Sequence, residues 1–130
     1  MPVTKIARSR APDENSSYNF LLYVYKVNAD GSRTALTPDT VKVYVILPDS
    51  TPVQYINNRD GTVATGLTTD ANEITFHMAA ADNPIAERDT HAIDGYENHL
   101  VRFEITYNGG VDTHYEEFLL PVRDLHAIGS

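Results

Sequence analysis

HLVRFEITYNGGVDTHYEEFLLPV, residues 99–122, decides the fold class. Val101, Phe103, Ile105 and Tyr107 alternate with Arg102, Glu104 and Thr106, the period of two that puts every second side chain of a strand on one face. Asn108, Gly109 and Gly110 supply the positive backbone angles of a tight connection. Residues 114–122 then run back with Phe118, Leu120 and Val122 inward, while Glu104, Glu116 and Glu117 are expected on outward, solvated faces. The whole stretch reads as an antiparallel hairpin.

The same period recurs upstream. Ile74, Phe76 and Met78 alternate with Glu73, Thr75 and His77, and Val41, Val43, Val45 and Leu47 alternate between Pro38-Asp39 and Pro48-Asp49. Residues 18–27, YNFLLYVYKV, are dense in aromatic and β-branched side chains and stop at Asn28, Asp30 and Gly31. A shorter strand is expected at 52–56, a turn at Asn57, Asn58, Asp60 and Gly61, and another strand at 62–65 ended by Gly66. Residues 79–98 read as a long loop in which NPIAERD (83–89) has room for one helical turn. About seven strands with no helix of useful length predict an all-β fold, an antiparallel two-sheet sandwich, with a small β-barrel as the alternative.

A chain of 130 residues is long enough for one sizeable core. The expected organisation is a flexible arm at 1–17, one domain at 18–123 and a tail at 124–130. The net charge of −8 is uneven: Lys5, Arg8 and Arg10 stand without an acid in residues 1–10, leaving 7 bases against 18 acids, or −11, for the rest. That balance argues against nucleic acid as a partner, because neutralising phosphates needs clustered Lys and Arg. With no cysteine, neither disulfides nor thiolate metal sites are available, which fits a protein made in a reducing cytoplasm. The apolar runs are far shorter than the ~20 residues that cross a bilayer, so no membrane partner is expected.

No constellation announces a chemistry. The histidines at 77, 91, 99, 114 and 126 have neither His-x-His nor HExxH spacing, and no alternating acidic run precedes the Asp-Gly pairs at Asp30, Asp60 and Asp94. There is no Gly-x-Ser-x-Gly elbow. The reading is a protein without catalytic, cofactor or metal site, and not an enzyme. The first strand stands apart because it is apolar on both faces: Phe20, Leu22 and Val24 on one, Leu21, Tyr23, Tyr25 and Val27 on the other. One face belongs to the core. The other is either covered by the loop at 79–98 or by the arm or, extended by Tyr44 and Ile46 on the next strand, is a protein contact, since tyrosine suits a surface that is apolar on one side and wet on the other. Lys5, Arg8 and Arg10 complete the expected partner-binding set, their charge suiting the acidic body of another copy.

The order of these features carries a resemblance. A long aromatic strand, then Asp30-Gly31-Ser32, then Leu36-Thr37-Pro38 leading into VKVYVILPDS (41–50), then the hairpin VRFEITYNGGVDTHYEEFLLPV (101–122), resembles the immunoglobulin-like modules of tailed-phage virions. These include the N-terminal domain of baseplate upper proteins and related decoration or neck modules. The resemblance covers roughly residues 18–123. It implies an immunoglobulin-like sandwich and a non-enzymatic structural or assembly protein, built in a bacterial cytoplasm and docked in the virion on capsid, portal, neck or tail proteins or on its own copies. The long loop at 79–98 and the absence of a large following domain depart from the baseplate proteins and point to a decoration, neck or connector role. A carbohydrate- or receptor-binding module using exposed tyrosines is the alternative, which the lack of tryptophan counts against, and a small hydrolase ranks last.

Overall fold

The structure is a computed structural model and describes residues 3–87 and 95–125. Strands carry nearly all of its regular structure: β1 (Val3–Lys5), β2 (Tyr18–Tyr23), β3 (Tyr25–Val27), β4 (Arg33–Ala35), β5 (Thr40–Leu47), β6 (Gln54–Asp60), β7 (Leu67–Asp70), β8 (Glu73–Met78), β9 (Tyr96–Tyr107) and β10 (Asp112–Arg123). They form a five-stranded sheet in the order β1-β10-β9-β5-β6, a three-stranded sheet in the order β2-β8-β7, and a β3–β4 hairpin. All pairings are antiparallel except β1 with β10. The chain is therefore an all-β sandwich.

The core lies between the two larger sheets, and the period-two reading places it correctly. Val43, Val45 and Leu47 of β5, Ile74, Phe76 and Met78 of β8, Val101, Phe103 and Ile105 of β9, and Leu120 of β10 are buried together with Phe20 and Leu22 of β2. All four phenylalanines of the chain meet there, two from each sheet. Phe103 touches each of the others, with ring centroids at 5.5 Å from Phe20, 5.9 Å from Phe76 and 5.9 Å from Phe118. Phe20 and Phe118 are 5.1 Å apart. These edge-on and tilted contacts are the favourable arrangements of aromatic quadrupoles.

Three expectations are corrected. The first strand breaks at Val24, where the Val24 N–H donates to Asn72 and its carbonyl accepts from Leu36, so β3 leaves the three-stranded sheet and pairs with β4. The turn expected at Asn57 and Asn58 is a bulge inside β6: both have positive φ, 52° and 57°, and the register against β5 jumps from Tyr44↔Asp60 to Ile46↔Tyr55. Asparagine tolerates the left-handed region better than other residues with a Cβ, so the extra residues loop out without ending the strand. No strand forms at 62–65. Gly66 precedes β7 instead of ending a strand, and the reason is contact: a Cβ there would sit 2.3 Å from the His77 carbonyl oxygen.

The expected arm at 1–17 is held to the body over its described part. β1 pairs with β10 from Val3↔Glu117 to Lys5↔Leu119, Ile6 N–H donates to Leu119, Pro12 accepts from Arg123, and Glu14 N–H donates to Arg123. All three β1 side chains are exposed, so its hold is through the backbone and leaves no periodic trace in the sequence. The tail also begins later than residue 124, because Asp124 is buried and donates its N–H to Gly95. In the long connection a 3-10 turn forms at Ala80–Asp82, earlier than expected. Part of NPIAERD lies outside the described residues.

Phe103→Ala should cost about 3–5 kcal/mol in denaturant unfolding, since the ring is fully buried and touches every other phenylalanine. A loss below about 1 kcal/mol would contradict the central place given to this ring.

Candidate interaction surface

The outer face of β2 and β3 is apolar and open. Leu21, Tyr23, Tyr25 and Val27 are exposed by 55, 57, 41 and 62% while Phe20 and Leu22 between them are buried. The alternation that fills the core with one half of the strand necessarily turns the other half to solvent. Arg33 from β4 lies over the Tyr25 ring, 4.4 Å from its centroid, so one face of that ring is already occupied.

Tyr44 and Ile46 do not extend this patch, contrary to expectation. β5 pairs with β9 and β6 in the five-stranded sheet and β2 pairs with β8 in the other, so their outer faces point away from each other. Ile46 is buried, while Tyr44 lies beside Tyr55 with ring centroids 6.3 Å apart. The basic residues of the expected contact set are elsewhere too. Lys5 is exposed on β1, Arg8 stacks over Tyr96 at 4.6 Å, and Arg10 is exposed at the end of a 3-10 turn. The structure brings together Leu21, Tyr23 and Tyr25 and separates the rest.

Beside the patch a cleft of about 850 Å³ opens between the sheets. One wall is Leu21 to Lys26, the end is closed by Leu36 and Thr37, and the floor is the inner side of β9 and β10 with Ile105, Tyr107, His114, Glu116 and Phe118. Glu116 was expected outward with Glu117. The register sets Glu116 opposite Phe103 and His114 opposite Ile105, so both share the core-facing side of β10, past the point where the three-stranded sheet covers it. They are paired at 2.9 Å and partly exposed.

On the far face, Glu104 accepts from Tyr115 at 3.0 Å and Tyr44 at 3.4 Å, and Arg102 pairs with Glu117 at 2.7 Å. Burial, then the Glu104 charge, pushes the Tyr44 hydroxyl up; the hydrogen bond to Glu104 does the same for Tyr115. Both hydroxyls therefore stay protonated as donors at neutral pH. Nothing in this shallow network pairs a nucleophile with a base, so it reads as a satisfied strand surface.

Among the buried polar residues are two carboxylates, Asp82 and Glu97, that nothing local in the sequence marks. Asp82 accepts from Arg59 Nε at 2.8 Å and Nη2 at 3.0 Å, from Asn57 at 2.8 Å and from the Ala79 N–H at 3.0 Å, with Arg59 also over the Phe76 ring at 5.0 Å. The β6 bulge delivers Asn57 and Arg59 to this carboxylate. Glu97 accepts from the Ala86 and Glu87 N–H groups, each at 2.7 Å, and from His99 Nε2 at 2.5 Å. Both carboxylates are fully buried and bond the long connection to the sheets, so they are internal staples without access to a substrate. Among the described residues no group of three or more His, Cys, Asp or Glu could hold a metal ion. The Asp-Gly pairs at Asp30 and Asp60 are turn chemistry, their carboxylates accepting from Ser32 and Thr62; Asp94 lies outside the described residues.

Comparison of the chain with protein-family models, with curated proteins and with solved structures gave no match.

The Asp82 staple has a pH signature. Burial pushes its carboxyl up, but the bonds from Arg59 and Asn57 and the Arg59 charge outweigh that and hold it below its ordinary value. A lowered folded-state pKa stabilises the fold above the ordinary carboxylate range, and that contribution is lost as pH falls through it toward the folded value. Asp82→Ala should cost about 3–5 kcal/mol at neutral pH, as expected for one partner of a buried pair. The gap to the parent should narrow as pH falls below about 4. A gap that stays constant under acid unfolding would contradict the ionised pair.

Proposed function

We propose that this chain is a non-enzymatic structural and assembly protein of a phage particle, a decoration, neck or connector component, and that it works by protein contacts through the β2–β3 face. The observation that carries the reading is the run of four exposed apolar side chains, Leu21, Tyr23, Tyr25 and Val27, on β2, whose other face is core, and on the exposed β3 that continues it. A lone soluble domain usually keeps contiguous exposed apolar patches small, so a partner is the natural cover.

The immunoglobulin-like reading is part of this proposal, and strand order supports it. Taking β2, β5, β7, β8, β9 and β10 as strands B, C, D, E, F and G, the sheets pair B-E-D against G-F-C, as in that fold. Antibody domains link B and F with a disulfide; here the Phe20–Phe103 contact joins the corresponding strands. Two features depart from the pattern: among the described residues no A strand lies beside B, because the segment before β2 pairs with β10 instead, and the β3–β4 hairpin is added between B and C.

Assembly in a bacterial cytoplasm and residence in the virion follow from the same proposal. The glycan-binding alternative is less favoured because Arg33 already stacks on Tyr25. Purified tailed particles from an infected host should carry the chain in fixed copy number, and Tyr23→Lys should abolish its incorporation while changing unfolding free energy by less than about 0.5 kcal/mol, the usual range for an exposed site. Full incorporation of folded Tyr23→Lys would overturn the contact role of this face, and a chain absent from particles would overturn the virion role.

A further inference from the structure

We infer that the open edge of β2 accepts an extended, basic segment of another protein as an added strand, seated in the cleft between the sheets. This deepens the contact reading above and rests on it, adding the mode of docking and the chemistry of the partner.

The edge is open and unguarded. Among the described residues β2 pairs only with β8, and its backbone groups alternate in direction. Val24 N–H donates to Asn72 across from it, so by the alternation of an antiparallel ladder Phe20 and Leu22 bond to β8, while the N–H and C=O groups of Asn19, Leu21 and Tyr23 face the other way. Natural sheets protect such edges with charge, proline, bulges or shortness. The other edges of the two larger sheets here do so: β1 is three residues with Lys5, β6 carries the Asn57–Asn58 bulge and Arg59, and β7 ends on Asp70. β2 is six residues, Tyr18–Tyr23, with no charge, proline, glycine or bulge.

The space beside this edge fits one strand and excludes a second copy. Phe20 packs on both Phe103 and Phe118, so β2 lies over the β9–β10 seam and the five-stranded sheet continues past it with β1. If two copies paired β2 to β2 about a two-fold axis normal to the sheet, their five-stranded sheets would lie on the same side. Each overhang exceeds the ~4.8 Å between paired strands, so the overhangs would collide. A single strand meets no such obstacle: β4, whose Leu36 N–H donates to Val24, continues the line of β8 on the opposite edge, so an added strand would lie above the exposed floor of the cleft.

The cleft also states what the strand should carry. Its inward side chains would meet Leu22, Ile105 and Phe118 at one end and, at the other, the Asp112 carboxylate and the Glu116 carboxylate with His114 beside it, against the single ammonium of Lys26 on the wall. Its outward side chains would pair across the strands with Leu21 and Tyr23, where apolar and aromatic neighbours are favoured. A partner segment alternating apolar residues with Lys or Arg satisfies both, and the net charge of −8 favours the same sign of partner.

Amide hydrogen exchange and chemical-shift mapping of the full chain, with short synthetic peptides alternating Val with Lys or Val with Glu, tests this. The expected result is new protection at the amides of Asn19, Leu21 and Tyr23, with the Lys peptide bound about tenfold more tightly than the Glu peptide. Glu116→Gln should narrow that ratio. Leu21→Pro, which removes an outward N–H and no bond to β8, should abolish binding; should it fail to fold, Tyr23→Pro and the parent amide protection decide the matter. Peptide binding that perturbs the Leu21 and Tyr23 side chains without protecting those amides would overturn strand addition while leaving the contact face in place. Protection that appears with protein concentration alone would overturn it in favour of self-pairing.

Discussion

Phe103 is the point at which the two sheets meet. Each of the other phenylalanines touches its ring, and they come from three different strands, β2, β8 and β10, so the register of the sandwich is set where one side chain is shared. A slip of one residue in any of these strands would turn a phenylalanine to solvent and replace it with a polar or exposed neighbour. With no disulfide available, this aromatic contact is what links the sheets across the core.

The offset of the sheets follows from the same contact. Because Phe20 sits over both Phe103 and Phe118, β2 is held above the seam of β9 and β10, and the wider sheet extends past it. The segment before β2 could have filled the gap as a neighbouring strand. It pairs with the far edge of β10 instead and returns to β2 through the buried Pro12 and Glu14. The result is a domain whose core is closed but whose narrower sheet ends on a strand with no partner on its outer edge among the described residues, flanked by an apolar face and a cleft. Buried polar staples hold the rest: Arg59–Asp82 ties the β6 bulge to the turn after β8, and Glu97 with His99 ties the start of β9 to the residues at 86 and 87.

Period two made the faces of β2, β5, β8, β9 and β10 legible, and the core residues with them. It could not assign partners. Tyr44 and Leu21 both read as outward apolar positions, yet they lie on opposite sides of the molecule, because alternation fixes a strand's faces and not the sheet it joins. The two consecutive glutamates at 116 and 117 cannot share a face: the alternation that turns Phe118 inward turns Glu116 inward with it, and the register sets it opposite Phe103. β1 left no pattern because backbone hydrogen bonds alone hold its three exposed residues. Arg59 stood among Asn, Asp and Gly that read as a turn, and nothing local marks it as the partner of Asp82, 23 residues away. The exposed face of β2 was legible because both halves of YNFLLY are apolar; the open backbone edge beside it was not, since it depends on where the preceding segment goes.

β2 has a closed inner ladder and an open outer edge, and docking at this face depends on both. Amide exchange of the free protein at low concentration measures this directly, residue by residue. The Phe20 and Leu22 amides, bonded to β8, should exchange slowly, while those of Asn19, Leu21 and Tyr23 should exchange at rates near those of unprotected amides. Uniform slow exchange from Asn19 to Tyr23 would mean that the edge is already occupied, and would contradict the account.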